Sequence, residues 1–275
     1  MLYNKETILA SLSPDALFRN ITLYDVTDST NTRLKESIAV GDAGHGDVMI
    51  AGRQTAGRGR RGRSFYSGEG GLYLSAALEP GISPEELTIL TPAAAVAVCR
   101  TADAIFPGSD TAIKWVNDVQ YNRLKVCGIL TECVFRGGEA YAVIGIGVNL
   151  FAPEEGFPEE LAGIAGSLCR GSISSVGKTE AARIANAFAA RLLRELEEVC
   201  RHVMAGILSF REEYISRCVT LGRKVDVHPA VGSGVSFTGI AAGLDDRLRL
   251  IVRLPDGSET AVGTGEATLH GSGRE

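Results

Sequence analysis

The sequence predicts an α+β protein with a small C-terminal β-barrel, residues 1–218 forming one domain and 219–275 the other. Three observations carry this. Runs with period-two alternation recur between helical patterns from residue 21 to residue 150. A long amphipathic helix over about residues 179–203 places Ile184, Phe188, Leu192 and Leu196 on one face and Arg and Glu on the other. From Thr220 onward the composition changes to short strands alone.

Taken in order, residues 5–12 make one or two helical turns, and 21–26 alternate as a strand. Asp28-Ser29-Thr30-Asn31 then opens a helix with Leu34 and Ile38 inward. Ser29 or Thr30 suits its cap, and a helix N-terminus is also a ready anion site. Residues 47–51 and 72–78 read as strands. Ser83-Pro84-Glu85-Glu86 carries the signs of a helix start, with Glu86 completing a capping box, and Thr91-Pro92 opens another helix with an alanine-rich face. A short strand at 113–115 precedes a turn-like Asn117-Asp118 and a polar turn at Asn122-Arg123. Strands 125–135 and 141–150 are joined by Gly137-Gly138. Glycines at 145 and 147 inside the second point to another group approaching the backbone closely. Residues 151–177 are loop-rich, and helices at 179–203 and 207–217 follow. Strands at 224–228, 235–242, 248–254 and 260–263 complete the chain, with turns at Gly232-Ser233-Gly234, Asp245-Asp246 and Asp256-Gly257.

A hydrophobic content of 45% with 22% charged residues is ordinary for a globular protein with a real core. The N-terminus carries no apolar signal segment and no stretch approaches the length of a membrane span, so no membrane partner is expected. The six cysteines form no C-x-x-C pair and read as buried, reduced thiols of a cytoplasmic protein, Cys127 and Cys133 among them as packing residues. The four histidines are far apart, and no zinc site is expected.

The stretch Gly52–Tyr66 stands apart. Arg53, Arg58, Arg60, Arg61 and Arg63 alternate with glycines in a chain of net charge −5. Glycines let backbone N–H groups approach a ligand, and guanidinium forks match phosphate and carboxylate. Gly57, Gly59 and Gly62 fit the G-x-G-x-x-G spacing of dinucleotide sites, but that site needs a helix to begin at the third glycine, and residues 64–71 cannot form one. A nucleic-acid footprint conflicts with a pI near 5.5. A small-molecule anion clamp and a solvated loop remain on these residues alone.

Four blocks together resemble the biotin protein ligases: Asp28-Ser29-Thr30-Asn31; Gln54 with residues 57–63; Lys114-Trp115-Val116-Asn117-Asp118 with residues 125–132; and residues 144–149. The resemblance implies a mixed-sheet catalytic domain of the biotin/lipoate ligase type with packed helices, plus an SH3-like barrel. It implies two steps, in which the biotin carboxylate attacks the α-phosphate of ATP to give biotinyl-5′-AMP, and a lysine of a biotin carboxyl carrier protein then takes the biotinyl group. Mg²⁺ is expected on the phosphates, with its protein ligands open.

Carried onto this chain, the resemblance implies that Ser29, Thr30, Asn31 and Gln54 bind biotin, with Gly128 and Gly147 making room for it. Arg58, Gly59 and Arg60 are to close over biotin and the adenylate phosphate. Lys125 is to contact the carboxylate and then the α-phosphate. Arg60, Arg61, Phe65, Lys114, Asn117 and Asn149 are to hold ATP. Arg58, Arg60, Lys125 and Asp118 form the implied catalytic set, Asp118 helping to deprotonate the acceptor lysine. Trp115 reads as core or pocket wall.

Three departures stand out. Val116 occupies a position that is commonly proline, Phe65 stands where some members stack a tryptophan on adenine, and the chain begins almost at the catalytic domain. The last predicts a ligase without operator DNA as a partner. Homodimerisation is possible by family. A lipoate–protein ligase is the nearest alternative, sharing the fold and the adenylation chemistry. An Arg/Gly nucleic-acid binder is the alternative of another class, and it leaves Lys125 and Asn149 without a role.

Overall fold

The computed structural model describes residues 2–229, 236–263 and 265–269. The first part runs α1 (Lys5–Ala10), β1 (Asn20–Thr27), α2 (Thr30–Val40), β2 (Asp47–Gln54), β3 (Gly71–Leu78), α3 (Leu90–Ile105), β4 (Ala112–Lys114), β5 (Asp118–Tyr121), β6 (Leu124–Arg136) and β7 (Glu139–Asn149). It continues with α4 (Ile173–Val176), α5 (Lys178–Met204) and α6 (Arg211–Arg217). The remainder is β8 (Lys224–Pro229), β9 (Phe237–Leu244), β10 (Leu250–Arg253), β11 (Glu259–Val262) and β12 (Gly265–Leu269).

Seven strands form one sheet in the order β1-β2-β3-β7-β6-β5-β4. Only β1 and β2 pair in parallel, joined by the crossover helix α2, so the sheet is mixed as expected. Period-two alternation gives its two faces different work. Leu72, Leu74, Ala76 and Leu78 of β3, with Ala142, Ile144, Ile146 and Val148 of β7, enter the main core with α3 and α5. On the opposite face Ala77 and Val143 join Leu34 and Ile38 of α2 in a smaller cluster. Tyr73, Ser75, Gly145 and Gly147 share that second face, and the site is built there.

Several boundaries differ from the sequence reading. The two helix starts at Ser83 and Thr91 belong to one run, in which a 3-10 turn (Glu86–Ile89) leads directly into α3. Glu86 still accepts from the Ser83 amide at 3.0 Å, half of the expected capping box. Together they make a 20-residue apolar helix of mean hydropathy 1.3, and 61% of its most apolar window is buried in the core. The second C-terminal helix starts at Arg211 rather than 207. Strand β5 was not foreseen, because only Val119 of its four residues is buried and no alternation marks it. Cys133 is exposed rather than packed, whereas Cys127 is buried, and all six cysteines are free. The pairing of β6 with β5 ends at Gly128, so its far half pairs with β7 alone.

The C-terminal strands form a five-stranded antiparallel sheet in the order β11-β10-β9-β8-β12. Strand β12 was not anticipated, and among the described residues the edges β11 and β12 do not pair, so the expected barrel is open here. The turn at Gly232-Ser233-Gly234 lies outside the described residues. This sheet is tied to the larger part through Trp115, which is 3% exposed. Its backbone amide donates to Thr220 Oγ1 at 2.9 Å and its indole Nε1 to the Leu248 carbonyl at 3.0 Å.

Candidate active site

The floor of the site is a strip of glycine backbone on which neighbouring side chains rest. On the second face of the sheet, Tyr73, Gly147, Gly128 and Asp118 lie in one cross-strand row through β3, β7, β6 and β5. The neighbouring row is Ser75, Gly145 and Leu130. Three of these positions lack side chains for a visible reason. A Cβ on Gly145 would lie 2.1 Å from Asn31 Oδ1, and one on Gly147 would lie 2.6 Å from the ring of Phe65. On Gly128 the same ring would be met at 2.9 Å and Lys125 Cε at 3.2 Å.

One wall is the start of α2. Ser29 takes an extended backbone and caps the helix, its hydroxyl accepting from the Thr32 amide at 3.4 Å. Gln54, at the end of β2, accepts from the Thr30 amide at 2.8 Å and donates to Ser67 Oγ at 3.0 Å. Its carboxamide therefore joins helix, strand and loop. Asn31 donates to the Leu130 carbonyl at 3.2 Å and to Glu132 at 3.1 Å, while its oxygen lies 2.5 Å from Ser75 Oγ. That amide is committed to the wall it forms.

The roof is the arginine loop, folded on itself as a small hairpin. Gly59 N–H donates to the Arg63 carbonyl at 2.7 Å and Phe65 N–H to the Gly57 carbonyl at 2.9 Å. The turn between them passes through Arg61 and Gly62 at φ of 58° and 74°, a conformation glycine adopts freely and arginine does not. Three arginines then reach three different walls. Arg58 meets Glu132 of β6 at 3.2 Å, Arg60 donates to Asn117 Oδ1 at 3.1 Å, and Arg61 donates to the His228 carbonyl of β8 at 3.3 Å.

The far wall carries Lys114, Asn117, Asp118 and Lys125. Lys125 Nζ is 2.6 Å from Asp118 Oδ1 and 5.8 Å from the centre of the Phe65 ring, a cation–π approach. Asn117 donates to the Ile129 carbonyl at 3.0 Å, which fixes the amide that receives Arg60. The Trp115–Val116 peptide is cis. Burial pushes the Tyr73 hydroxyl well above its ordinary value, keeping it neutral. Burial also raises Glu132, but hydrogen bonds from Lys35 and Asn31, with the charges of Lys35 and Arg58, outweigh it and hold the carboxyl low.

Of the residues named from sequence, Ser29, Thr30, Asn31, Gln54, Arg58, Gly59, Arg60, Arg61, Phe65, Lys114, Asn117, Asp118, Lys125, Gly128 and Gly147 all line this one pocket. Asn149 does not. It is buried, and its amide donates to the Gly166 carbonyl at 3.0 Å, tying the end of β7 to the following loop. Sequence reasoning missed Tyr73, which only strand register brings to the site, and it counted Glu132 in a motif block without giving it a role. It noted Gly145 without assigning it a place. Among the described lining residues Asp118 is the only carboxylate, and none is a histidine or a cysteine. The arrangement suits binding and neutralising an anion over a flat floor rather than attack by a protein nucleophile.

Comparison with known proteins points to one family. A model of the "Biotin/lipoate A/B protein ligase family" matches residues 23–149. The biotin–[acetyl-CoA-carboxylase] ligase of Mycobacterium tuberculosis is 31% identical over 92% of this chain and 90% of its own length. That of Paracoccus denitrificans is 34% identical over 85% and 94%. Among solved structures, the biotin protein ligase from Aquifex aeolicus in complex with biotin and ATP superposes with a TM-score of 0.70 at 26% identity, covering 92% of this chain and 99% of that one.

Proposed function

The chain belongs to the biotin protein ligases of the biotin/lipoate A/B protein ligase family, and from that membership we propose how its pocket works. The protein is an ATP-dependent ligase that joins biotin to AMP and passes the biotinyl group to a lysine of a carboxylase carrier domain. The observation that carries this reading is the pairing of a glycine-floored groove with an arginine roof and Lys125 between them.

In the first step a biotin carboxylate oxygen forms a bond to the α-phosphorus of ATP, and the bond to the β-phosphate oxygen breaks, releasing pyrophosphate. Two anions must meet, so the work is charge neutralisation and alignment. Lys125 and the loop arginines supply the cations. Gly128 and Gly147 let the Phe65 ring settle onto the sheet, and the biotin tail is to lie beside that ring. Gln54 and the start of α2 close the inner end, and Phe65 offers a ring face to the adenylate side. In the second step the acceptor amine forms the amide bond and AMP leaves as the C–O bond to the phosphate breaks. Asp118 takes the proton that the amine gives up in this scheme.

Mg²⁺ usually enters such sites on the nucleotide phosphates with one or two protein carboxylates. Asp118, the one carboxylate among the described lining residues, is the group that would hold it, since Asn117 is committed to Arg60 and the Ile129 carbonyl. The ion would supply further positive charge to the phosphates.

The decisive experiment is pyrophosphate release from ATP with biotin, with lipoate and with neither, followed by transfer to a carrier domain. Biotin-dependent release is the expected result. Lipoate-dependent release would overturn the substrate and leave the chemistry, and no release with either acid would overturn the reading.

A further inference from the structure

Glu132 is the residue on which three separate parts of the site converge. It lies on β6 two positions beyond Leu130, on the face that carries the glycine strip. Its carboxylate takes the Asn31 amide at 3.1 Å, the Lys35 ammonium at 2.7 Å and the Arg58 guanidinium at 3.2 Å. Asn31 and Lys35 are one turn apart on α2, and Arg58 opens the arginine hairpin. One carboxylate thus connects the sheet, the capping helix and the roof. The role is not metal binding, since its neighbours are cations and an amide.

We infer that Glu132 is a positioning residue that latches the arginine loop in its closed form; the inference rests on the ligase reading above. The asymmetry of its partners supports this. Lys35 and Asn31 sit on a regular helix and are held wherever the loop goes, so Glu132 remains paired and hydrogen-bonded when Arg58 leaves. The cost of opening is therefore the loss of one charge-assisted contact and not the exposure of a lone buried carboxylate. The Arg58 side chain is 44% exposed against 18% for Glu132, so the contact lies where dissolved ions reach it. Such a contact holds a loop shut and still releases it on the timescale of substrate exchange. Glu132 touches no substrate in this scheme. It acts through Arg58, and through the Asn31 amide that overlies Gly145.

The test is tryptic cleavage within the arginine loop, in the intact protein, normalised to a free peptide of residues 52–66. Glu132→Gln keeps the shape and an oxygen for Asn31 but removes the charge. The expected result is cleavage about ten-fold faster than in wild type, the size of losing one charge-assisted hydrogen bond, read well below the thermal midpoint of either protein. Addition of about 0.5 M NaCl speeds wild-type cleavage and leaves the variant unaffected. Equal cleavage rates in wild type and Glu132→Gln overturn the latch. Should Glu132→Gln fold poorly, Arg58→Gln breaks the same contact from the other side and is expected to give the same release at the remaining arginines, normalised to a peptide that carries the same change. Escape of the acyl-adenylate on dilution is measured alongside. If Glu132→Gln and the double variant with Arg58→Gln leak at the same raised rate, the pair acts as one unit; independent effects that multiply overturn the pairing. A wild-type protein that forms no adenylate at all removes the ligase reading, while the proteolysis result still decides the latch.

Discussion

Lys125 Nζ lies 2.6 Å from Asp118 Oδ1, the two side chains meeting where β5 and β6 pair beside Gly128. The lysine proposed to neutralise the reacting anions and the carboxylate proposed to receive the acceptor's proton thus hold each other in place. Each is also partly open to the pocket, at 30% and 21% exposure, so an incoming anion and an incoming amine can both reach them.

This pair separates the two half-reactions. Lys125→Ala is expected to lower biotin-dependent pyrophosphate release by about 10²–10³, the usual cost of removing one well-placed donor. Asp118→Asn should spare adenylate formation by comparison and slow transfer to the carrier. Single-turnover measurement of each step checks the split, and an equal loss in both for Asp118→Asn would contradict its role as proton acceptor.

Gly145→Ala is expected to fold and to bind biotin poorly. Its Cβ would lie 2.1 Å from Asn31 Oδ1, and that amide is held from three sides, so the wall is displaced into the pocket. Overpacking of this kind costs about 1–3 kcal/mol. A raised KM for biotin with ATP kinetics little changed is the expected pattern in steady-state assays.

Arg60→Gly removes the contact to Asn117 and a roof cation, and the added glycine loosens the hairpin. The intermediate is expected to form and then escape. Trapping free biotinyl-5′-AMP by rapid filtration would detect it, and retention equal to wild type would refute the assigned role.

Trp115→Phe keeps an aromatic ring in the core but leaves the Leu248 carbonyl without its donor. A loss of about 0.5–1.5 kcal/mol is expected, against about 3–5 kcal/mol for Trp115→Ala. Urea denaturation of both variants measures the difference, and Trp115→Phe behaving like Trp115→Ala would show that the hydrogen bond dominates.

Acid should act on Glu132. Its folded-state carboxyl is held below the ordinary value of 4.5. A lowered folded value means that its contribution to stability is complete above about 4.5 and is lost as pH falls through the folded value below that. Stability should therefore fall on acidification below pH 4.5, and less steeply in Glu132→Gln; denaturation series across that range check the slope.

The sequence made the larger elements and most of the pocket legible, because motif residues lie on strands and caps whose signals are local. The alternating runs of β3 and β7 and the cap at Ser29 are of this kind. What it hid depends on register. Tyr73 joins the site only because β3 pairs with β7 opposite Gly147, and no property of the tyrosine itself announces that. Glu132 looked like one more strand residue until the loop brought Arg58 to it. Asn149 matched the motif but turned to the following loop. Strand β5 has too little burial to leave a pattern.

The three moorings of the arginine loop have a consequence for when the protein becomes active during its own synthesis. Arg58, Arg60 and Arg61 rest on groups from β6, from the segment before β5 and from β8. The last of these is made late, after more than two hundred residues have left the ribosome. A nascent chain that already has its groove but lacks β8 has a roof with one hinge missing. Under the proposed chemistry, such a chain would leak a reactive anhydride among its neighbours. Tying the roof to β8 makes the start of the C-terminal sheet a condition for keeping that reagent contained.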